Sequence, residues 1–245
     1  MPAARHTIEP LELYASAIDT SDYVAALTPV MRRLLPRTGD LLDIGAGGGQ
    51  IGAAIREPAR LWTVVEPSAT MRARLERFVP PPAIVASGWE QADLGAARHD
   101  TVLAATMPAY FDQPEAFFDR CRGWARHNVL WIVPAHAGPR GLCFAGCLPT
   151  AWHGEDETPG IDIVMRGLPA EARPHEAAQV EWTFSGIVPD LGMLSAYLAD
   201  RLGWPPADPR RGKLLDHLHA QARPDPAGHR LDIARTSAVL VWRFS

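Results

Sequence analysis

The first half of the chain alternates short apolar runs with segments in which apolar residues recur every three or four positions. The runs "DLLDI" (40–44), "LWTVVE" (61–66), "AIVAS" (83–87), "DTVLAA" (100–105) and "NVLWIV" (128–133) read as buried strands. Helical spacing follows them from about Gln50, over 68–78 and over 113–125, and this alternation predicts a parallel sheet with helical crossovers. Ser68 is placed to cap the second of these helices, and Asp112 with Glu115 makes a capping-box-like start for the third. Ahead of the first strand, Val24, Leu27, Met31 and Leu34 define an amphipathic helix over 22–35, with a shorter one near Leu11–Ile18. Residues 1–38 are therefore expected to form a helical cover.

After Val133 the pattern changes, because "PAHAGPRGLCFAGCLPTAWHGEDETPG" is dense in Gly and Pro and holds no long periodic run. Residues 134–180 read as an insertion, with 141–160 a candidate lid. Helical spacing returns over 190–202, where Leu191, Leu194, Leu198 and Leu202 share a side, and over 210–222, started by Asp208 and Pro209. The closing "HRLDIARTSAVLVWRFS" contains two strand-like runs, 229–235 and 237–244, whose simplest arrangement is an antiparallel hairpin. The expected fold class is α/β: a Rossmann-like, mostly parallel sheet with a closing antiparallel hairpin, an N-terminal helical cover and an insertion after the fifth strand. One domain over 1–245 is expected, its core sheet drawn from 39–134 and 229–245 and its substrate region from 135–228.

Composition narrows the partners. The chain has 245 residues, 47% of them hydrophobic, enough to bury a core. The net charge is −4 and Lys213 is the only lysine, so no basic stripe is present to track a phosphate backbone, and nucleic acid is not an expected partner. The start "MPAARHTIEP" lacks the apolar core of a signal peptide, and no apolar run has the length of a membrane span, which points to no membrane partner and a cytoplasmic protein. Cys121, Cys143 and Cys147 form no disulfide framework, and the spacing of the last two does not match a metal motif, so no metal is expected.

The chemistry concentrates in "DLLDIGAGGGQIG", with five glycines among the eight residues from Gly45 to Gly52. One overlay is Gly-x-Gly-x-x-Gly at Gly47, Gly49 and Gly52, a dinucleotide fingerprint that begins two residues late relative to the end of the strand. The other is Asp43-x-Gly45-x-Gly47-x-Gly49 followed by Glu66 at the end of the next strand. "LLDIGAGGGQIG" together with "VVEPSATM" resembles the first two motifs of the class I S-adenosylmethionine-dependent methyltransferases, over roughly residues 22–134 and 229–244. The resemblance implies S-adenosylmethionine as cofactor. It also implies that Asp43 organises the loop for the cofactor's amino-acid end, and that Glu66 accepts hydrogen bonds from the ribose hydroxyls. Gly45 and Gly47 leave room where a Cβ would intrude.

Further cofactor positions implied by the resemblance are Ala46, Pro67, Ser68, Gly88, Trp89 and Ala105. Trp89 stands where the family commonly has an acidic residue, and it either walls the adenine or is a partly exposed aromatic. Tyr14 is a second aromatic candidate, toward the cofactor's carboxylate. Methyl transfer from a sulfonium is an in-line displacement that needs positioning and exclusion of water more than catalytic groups. Candidate catalytic residues are His136, just past the fifth strand, His153 in the insertion and Tyr110 in "TMPAYF", with Thr106 as a further substrate contact. The acidic run Glu155, Asp156 and Glu157 reads as a solvated loop or as a lid for a cationic acceptor. The expected activity is methyl transfer to an O, N or C atom of a small-molecule substrate. The alternatives are an NAD-dependent oxidoreductase and a non-catalytic regulatory protein that binds S-adenosylmethionine.

Overall fold

The elements follow the hydrophobic pattern closely up to Pro134. In a computed structural model that describes residues 8–95, 98–106, 111–140 and 143–244, the chain opens with helices α1 (Pro10–Thr20) and α2 (Tyr23–Leu34). It continues through β1 (Leu41–Ile44), α3 (Gln50–Ile55), β2 (Trp62–Val65), α4 (Ala69–Leu75), β3 (Ala83–Val85), β4 (His99–Ala105), α5 (Pro114–Trp124) and β5 (Ala125–Pro134). Strands β1 and β2 are buried at every position, which is why they read as unbroken apolar runs. Ser68 caps α4 by accepting the Met71 N–H at 3.3 Å. The expected cap at Asp112 is displaced: Gln113 occupies the N-cap of α5 without a side-chain bond, and Pro114 opens the helix at a position that needs no N–H.

Beyond Pro134 the structure holds more regular elements than the pattern predicts. A 3-10 turn (Ala145–Cys147) leads into α6 (Thr150–His153) and α7 (Gly160–Gly167), and a second turn (Ala170–Ala172) precedes β6 (Glu176–Val188), a strand of 13 residues. Helices α8 (Leu191–Arg201) and α9 (Arg210–Gln221) follow, then β7 (Arg223–Asp225) and β8 (Gly228–Arg243). Asp190 caps α8 through the Gly192 and Met193 amides. The two terminal runs expected to form a hairpin are one continuous strand of 16 residues. Its second half pairs antiparallel with β5, from Asn128↔Arg243 to Pro134↔Ser237, and its first residues pair with β7. "ART" carries no turn chemistry, so nothing breaks the strand there.

The strand order is β3-β2-β1-β4-β5-β8-β6, with β1 to β5 parallel and β8 antiparallel to β5. The expected mostly parallel sheet with antiparallel closure is thus present, although different residues make the closure. The chain divides into two compact units: 23–137, 158–182 and 235–245 form one, and 1–22, 138–157 and 183–234 form the other. Helices α2 and α7 fall in the unit that holds the parallel strands. In that unit Val164 of α7 and Leu168 just after it are buried in a cluster with Phe117, Phe118, Trp131 and Trp242, and Gly167 lets the helix close onto Pro114. Among the described residues no helix is long and apolar enough to cross a membrane.

Candidate functional site

Ladder hydrogen bonds fix which residues share the carboxyl edge of the parallel sheet. Gly45 N–H continues the pairing of β1 with β2 by donating to Val65 O, Glu66 N–H donates to Val85 O, and Thr106 N–H donates to Ile132 O. The ends of β3, β2, β1 and β4 therefore bring together Gly88 and Trp89, then Glu66, Pro67 and Ser68, then Asp43, Gly45, Ala46 and Gly47, then Ala105. This edge is where open α/β sheets take ligands.

The loop after β1 is held open by backbone geometry. Gly45, Gly47 and Gly49 have φ of 62°, 55° and 80°, a region where L side chains are strained. A Cβ on Gly47 would meet nothing within 4 Å, so that position faces open space. A Cβ on Gly49 would lie 2.5 Å from Leu75 Cδ2 and 2.9 Å from Phe78, so Gly49 faces the protein. In the dinucleotide overlay the second glycine must face the pyrophosphate. Here that glycine is Gly49, and the register starting at Asp43 fits the geometry better.

Glu66 is buried, at 5% exposure, and spans the two loops. Its Oε2 accepts the Gly47 N–H and its Oε1 accepts the Ser68 N–H, both at 2.8 Å. Each carboxylate oxygen retains a lone-pair direction for a further donor. Asp43 lies behind it, 2% exposed, with its pKa pushed up from 3.8 to about 8. Burial is the main cause and the negative charge of Glu66 adds to it, while the Trp62 indole acts in the opposite sense. Its surroundings thus favour the protonated form of Asp43.

Other predicted residues are placed less simply. Trp89 is 7% exposed and packs edge-on against Phe117, centroids 5.1 Å apart, with its indole N–H buried and without a partner. It is a core residue and not a partly exposed aromatic. Pro67 O accepts a bond from Arg72 at 2.6 Å, and Ala46 O accepts from Gly49 N–H at 2.9 Å. Tyr110 lies outside the described residues.

His136 is held at both ring nitrogens. Arg235 donates to Nε2 at 2.7 Å, which leaves the proton on Nδ1, 3.0 Å from Thr236 O. Burial lowers its pKa, the bond to Thr236 opposes this and the Arg235 charge reinforces it. The nitrogen that a base would use is already bonded. His153 belongs to the other unit, where its side chain is covered; Nδ1 accepts the Glu155 N–H at 3.1 Å, and Nε2 lies 3.4 Å from Glu157. The acidic run is engaged within the same unit: Glu155 accepts Arg140 N–H, Asp156 pairs with the Arg140 guanidinium at 3.0 Å, and Glu157 accepts the Thr150 hydroxyl at 2.9 Å. It is neither a merely solvated loop nor a free acidic lid. Tyr14 stacks on Phe184, centroids 6.2 Å apart, in that unit.

The sequence pattern does not reveal a hydroxyl and aromatic chain beside the β4 end. Thr106, a non-glycine at φ 53°, shares a 2.6 Å hydrogen bond with Tyr23 Oη. Tyr23 packs on Trp182 at 4.5 Å, and the Trp182 indole donates to Ser237 Oγ at 3.0 Å. Trp182 lies on β6, which hydropathy alone leaves unrecognised.

No family model matches the sequence, and no curated protein matches it. Solved structures do match, at low identity. A candidate type II methyltransferase from Anaeromyxobacter dehalogenans superposes with a TM-score of 0.55 and 18% identity, covering 89% of this chain and 94% of that one. A candidate methyltransferase from Bacillus halodurans C-125 does so with a TM-score of 0.54 and 12% identity, covering 88% and 97%. The chain has the Rossmann-like fold of the class I methyltransferases.

Proposed function

We propose that the protein is an S-adenosylmethionine-dependent methyltransferase acting on a small-molecule acceptor at an O, N or C atom. The observation that carries the reading is the Glu66 carboxylate, clamped to the Gly47 amide beside a loop whose Cβ direction at Gly47 is open. A buried carboxylate at the end of β2, within reach of the β1 loop, is the acceptor that a ribose diol requires. The residues present fit S-adenosylmethionine: Glu66 would hold the ribose, and Gly45, Ala46 and Gly47 would line the amino-acid end above Asp43. Ser68, Gly88, Trp89 and Ala105 would border the adenosine. When bound, that cofactor supplies an electrophilic methyl group.

The chain's own part is to orient and to exclude water. The Glu66 clamp holds the two loops together, and the Thr106, Tyr23 and Trp182 chain fixes the β4 end where an acceptor would approach. Because His136 Nε2 already accepts from Arg235, His136 serves better to position that guanidinium than to take a proton. A small acceptor is favoured over nucleic acid by the net charge of −4 with a single lysine. Calorimetry with S-adenosylmethionine, S-adenosylhomocysteine and NADH tests the reading: the first two are expected to bind and the third not. Binding of NADH alone would establish the oxidoreductase alternative. Binding of S-adenosylmethionine without transfer to any acceptor in a metabolite extract would favour the non-catalytic one.

A further inference from the structure

Trp62 lies on β2 opposite Leu41, and Asp43 lies opposite Val64, so in this parallel pair the Trp62 and Asp43 side chains share one face of the sheet. Helix α3 covers that face and approaches through Gly52, where a Cβ would overlap Asp43 Oδ2 and stand 3.0 Å from Trp62 Nε1. The absence of a side chain on Gly52 brings the carboxyl and the indole N–H together under the helix. The indole is fixed on its other sides: Phe78 meets it edge-on at 5.3 Å, the Arg56 guanidinium lies 4.7 Å from the ring, and Gly49 sits above it. Trp62 is 3% exposed, and its buried Nε1 faces the Asp43 carboxyl but reaches no acceptor at full hydrogen-bond geometry. A buried donor without full pairing is costly, so its persistence in so tightly packed a place asks for a state in which it is used.

A protonated Asp43 does not need that donor, but a carboxylate would. The charged group facing Asp43 is Glu66, from the end of β2; α3 presents the uncharged Gly52, and β4 presents Leu103 in register. With only a negative neighbour, Asp43 keeps its proton until a positive charge arrives or Glu66 is neutralised by donors. S-adenosylmethionine would bring both, through its sulfonium and ammonium charges and its ribose hydroxyls. S-adenosylhomocysteine lacks the sulfonium and would bring less.

We propose that Trp62 is a positioning residue of this site: when S-adenosylmethionine binds, the Asp43 carboxyl gives its proton to solvent and the resulting carboxylate takes the Trp62 indole N–H. The inference rests on the cofactor reading above. The O–H bond of the acid breaks, the proton leaves to buffer, and an N–H···O bond forms beneath the glycine loop. The loop is then anchored from below in the charged complex and less so in the product complex, which favours exchange of product for cofactor.

Calorimetry of the full chain at pH 7 in phosphate and in Tris counts protons released per ligand bound, and Asp43→Asn subtracts those from the ligand's own amine. The parent is expected to release about half a proton or more beyond Asp43→Asn with S-adenosylmethionine, and less with S-adenosylhomocysteine. Trp62→Phe keeps the ring against Phe78 and Arg56, and is expected to move the half-release pH upward and weaken S-adenosylmethionine by about tenfold at pH 7. Should Trp62→Phe fold poorly, the parent's Trp62 indole proton resonance serves instead, moving downfield on saturation with S-adenosylmethionine and less with S-adenosylhomocysteine. Equal proton counts in parent and Asp43→Asn, a Trp62→Phe profile superimposable on the parent's, or an unmoved indole resonance would overturn the inference while leaving the cofactor reading standing. Failure of S-adenosylmethionine to bind the parent would overturn both.

Discussion

Replacing Glu66 by alanine removes the acceptor of two backbone amides at once, those of Gly47 and Ser68, each at 2.8 Å. A hydrogen bond to a charged acceptor is worth about 1.5–3 kcal/mol, but Gly47 and Ser68 are half-buried, so water recovers part of the loss. The net cost to folding is expected to be about 1–3 kcal/mol, a fall in Tm of about 2–10 °C for a chain of this size. On the proposed reading, in which Glu66 would accept both ribose hydroxyls, the effect on ligand binding is larger. S-adenosylmethionine should weaken by about 2–4 kcal/mol, roughly thirty- to a thousandfold. Glu66→Gln keeps one carbonyl oxygen but turns an NH2 toward a backbone N–H, and should lose an intermediate amount. Calorimetry on parent, Glu66→Ala and Glu66→Gln, each with S-adenosylmethionine and with a 2′,3′-dideoxy analogue, separates the ribose contact from general damage. The analogue's affinity should hardly change between variants. If Glu66→Ala binds S-adenosylmethionine within about twofold of the parent, or if both ligands lose affinity equally, Glu66 is a loop clamp and the ribose assignment is wrong.

Three other outcomes follow from the same region. Asp43 ionises near 3.8 when unfolded and near 8 in the fold, so the native state holds an extra proton between those values. The contribution of Asp43 to stability is therefore full below about pH 4, falls by about 1.4 kcal/mol per unit as pH rises, and reaches the end of its loss above about pH 8. Urea melts of Asp43→Asn across that window should lack this component, and a slope equal to the parent's would refute it. Gly52→Ala drives a methyl into Asp43 and toward Trp62 Nε1, and should cost about 1–3 kcal/mol by denaturant midpoint; an unchanged midpoint would mean that α3 is free to lift. Tyr23→Phe removes the 2.6 Å bond to Thr106 Oγ1 and should lose about 0.5–1.5 kcal/mol without altering S-adenosylmethionine affinity, a separation that melting and calorimetry together would check.

The sequence by itself determined the parallel half of the sheet, because β1, β2 and β4 are buried on both faces and hydropathy records burial directly. It also located Asp43, the glycine loop and Glu66, since a loop that must take positive φ at Gly45 and Gly47 limits its residues locally. Strand β6 escaped notice because its outward positions are half-exposed and its surroundings are rich in Gly and Pro, so burial leaves a weaker trace. The run from Gly228 to Arg243 looked like two strands because exposed residues at its middle interrupt the apolar pattern. What only the tertiary structure decided is the chemical state of the groups. His136 reads as a free imidazole until β8 brings Arg235 and Thr236 against it from about a hundred residues away. Asp43 reads as an ordinary carboxylate until β2 and α3 bury it beside the charge of Glu66. Periodicity encodes which side of an element is dry, but the charge and bonding of a buried polar atom depend on partners that the chain supplies from distant positions, and those are fixed only when the elements pack.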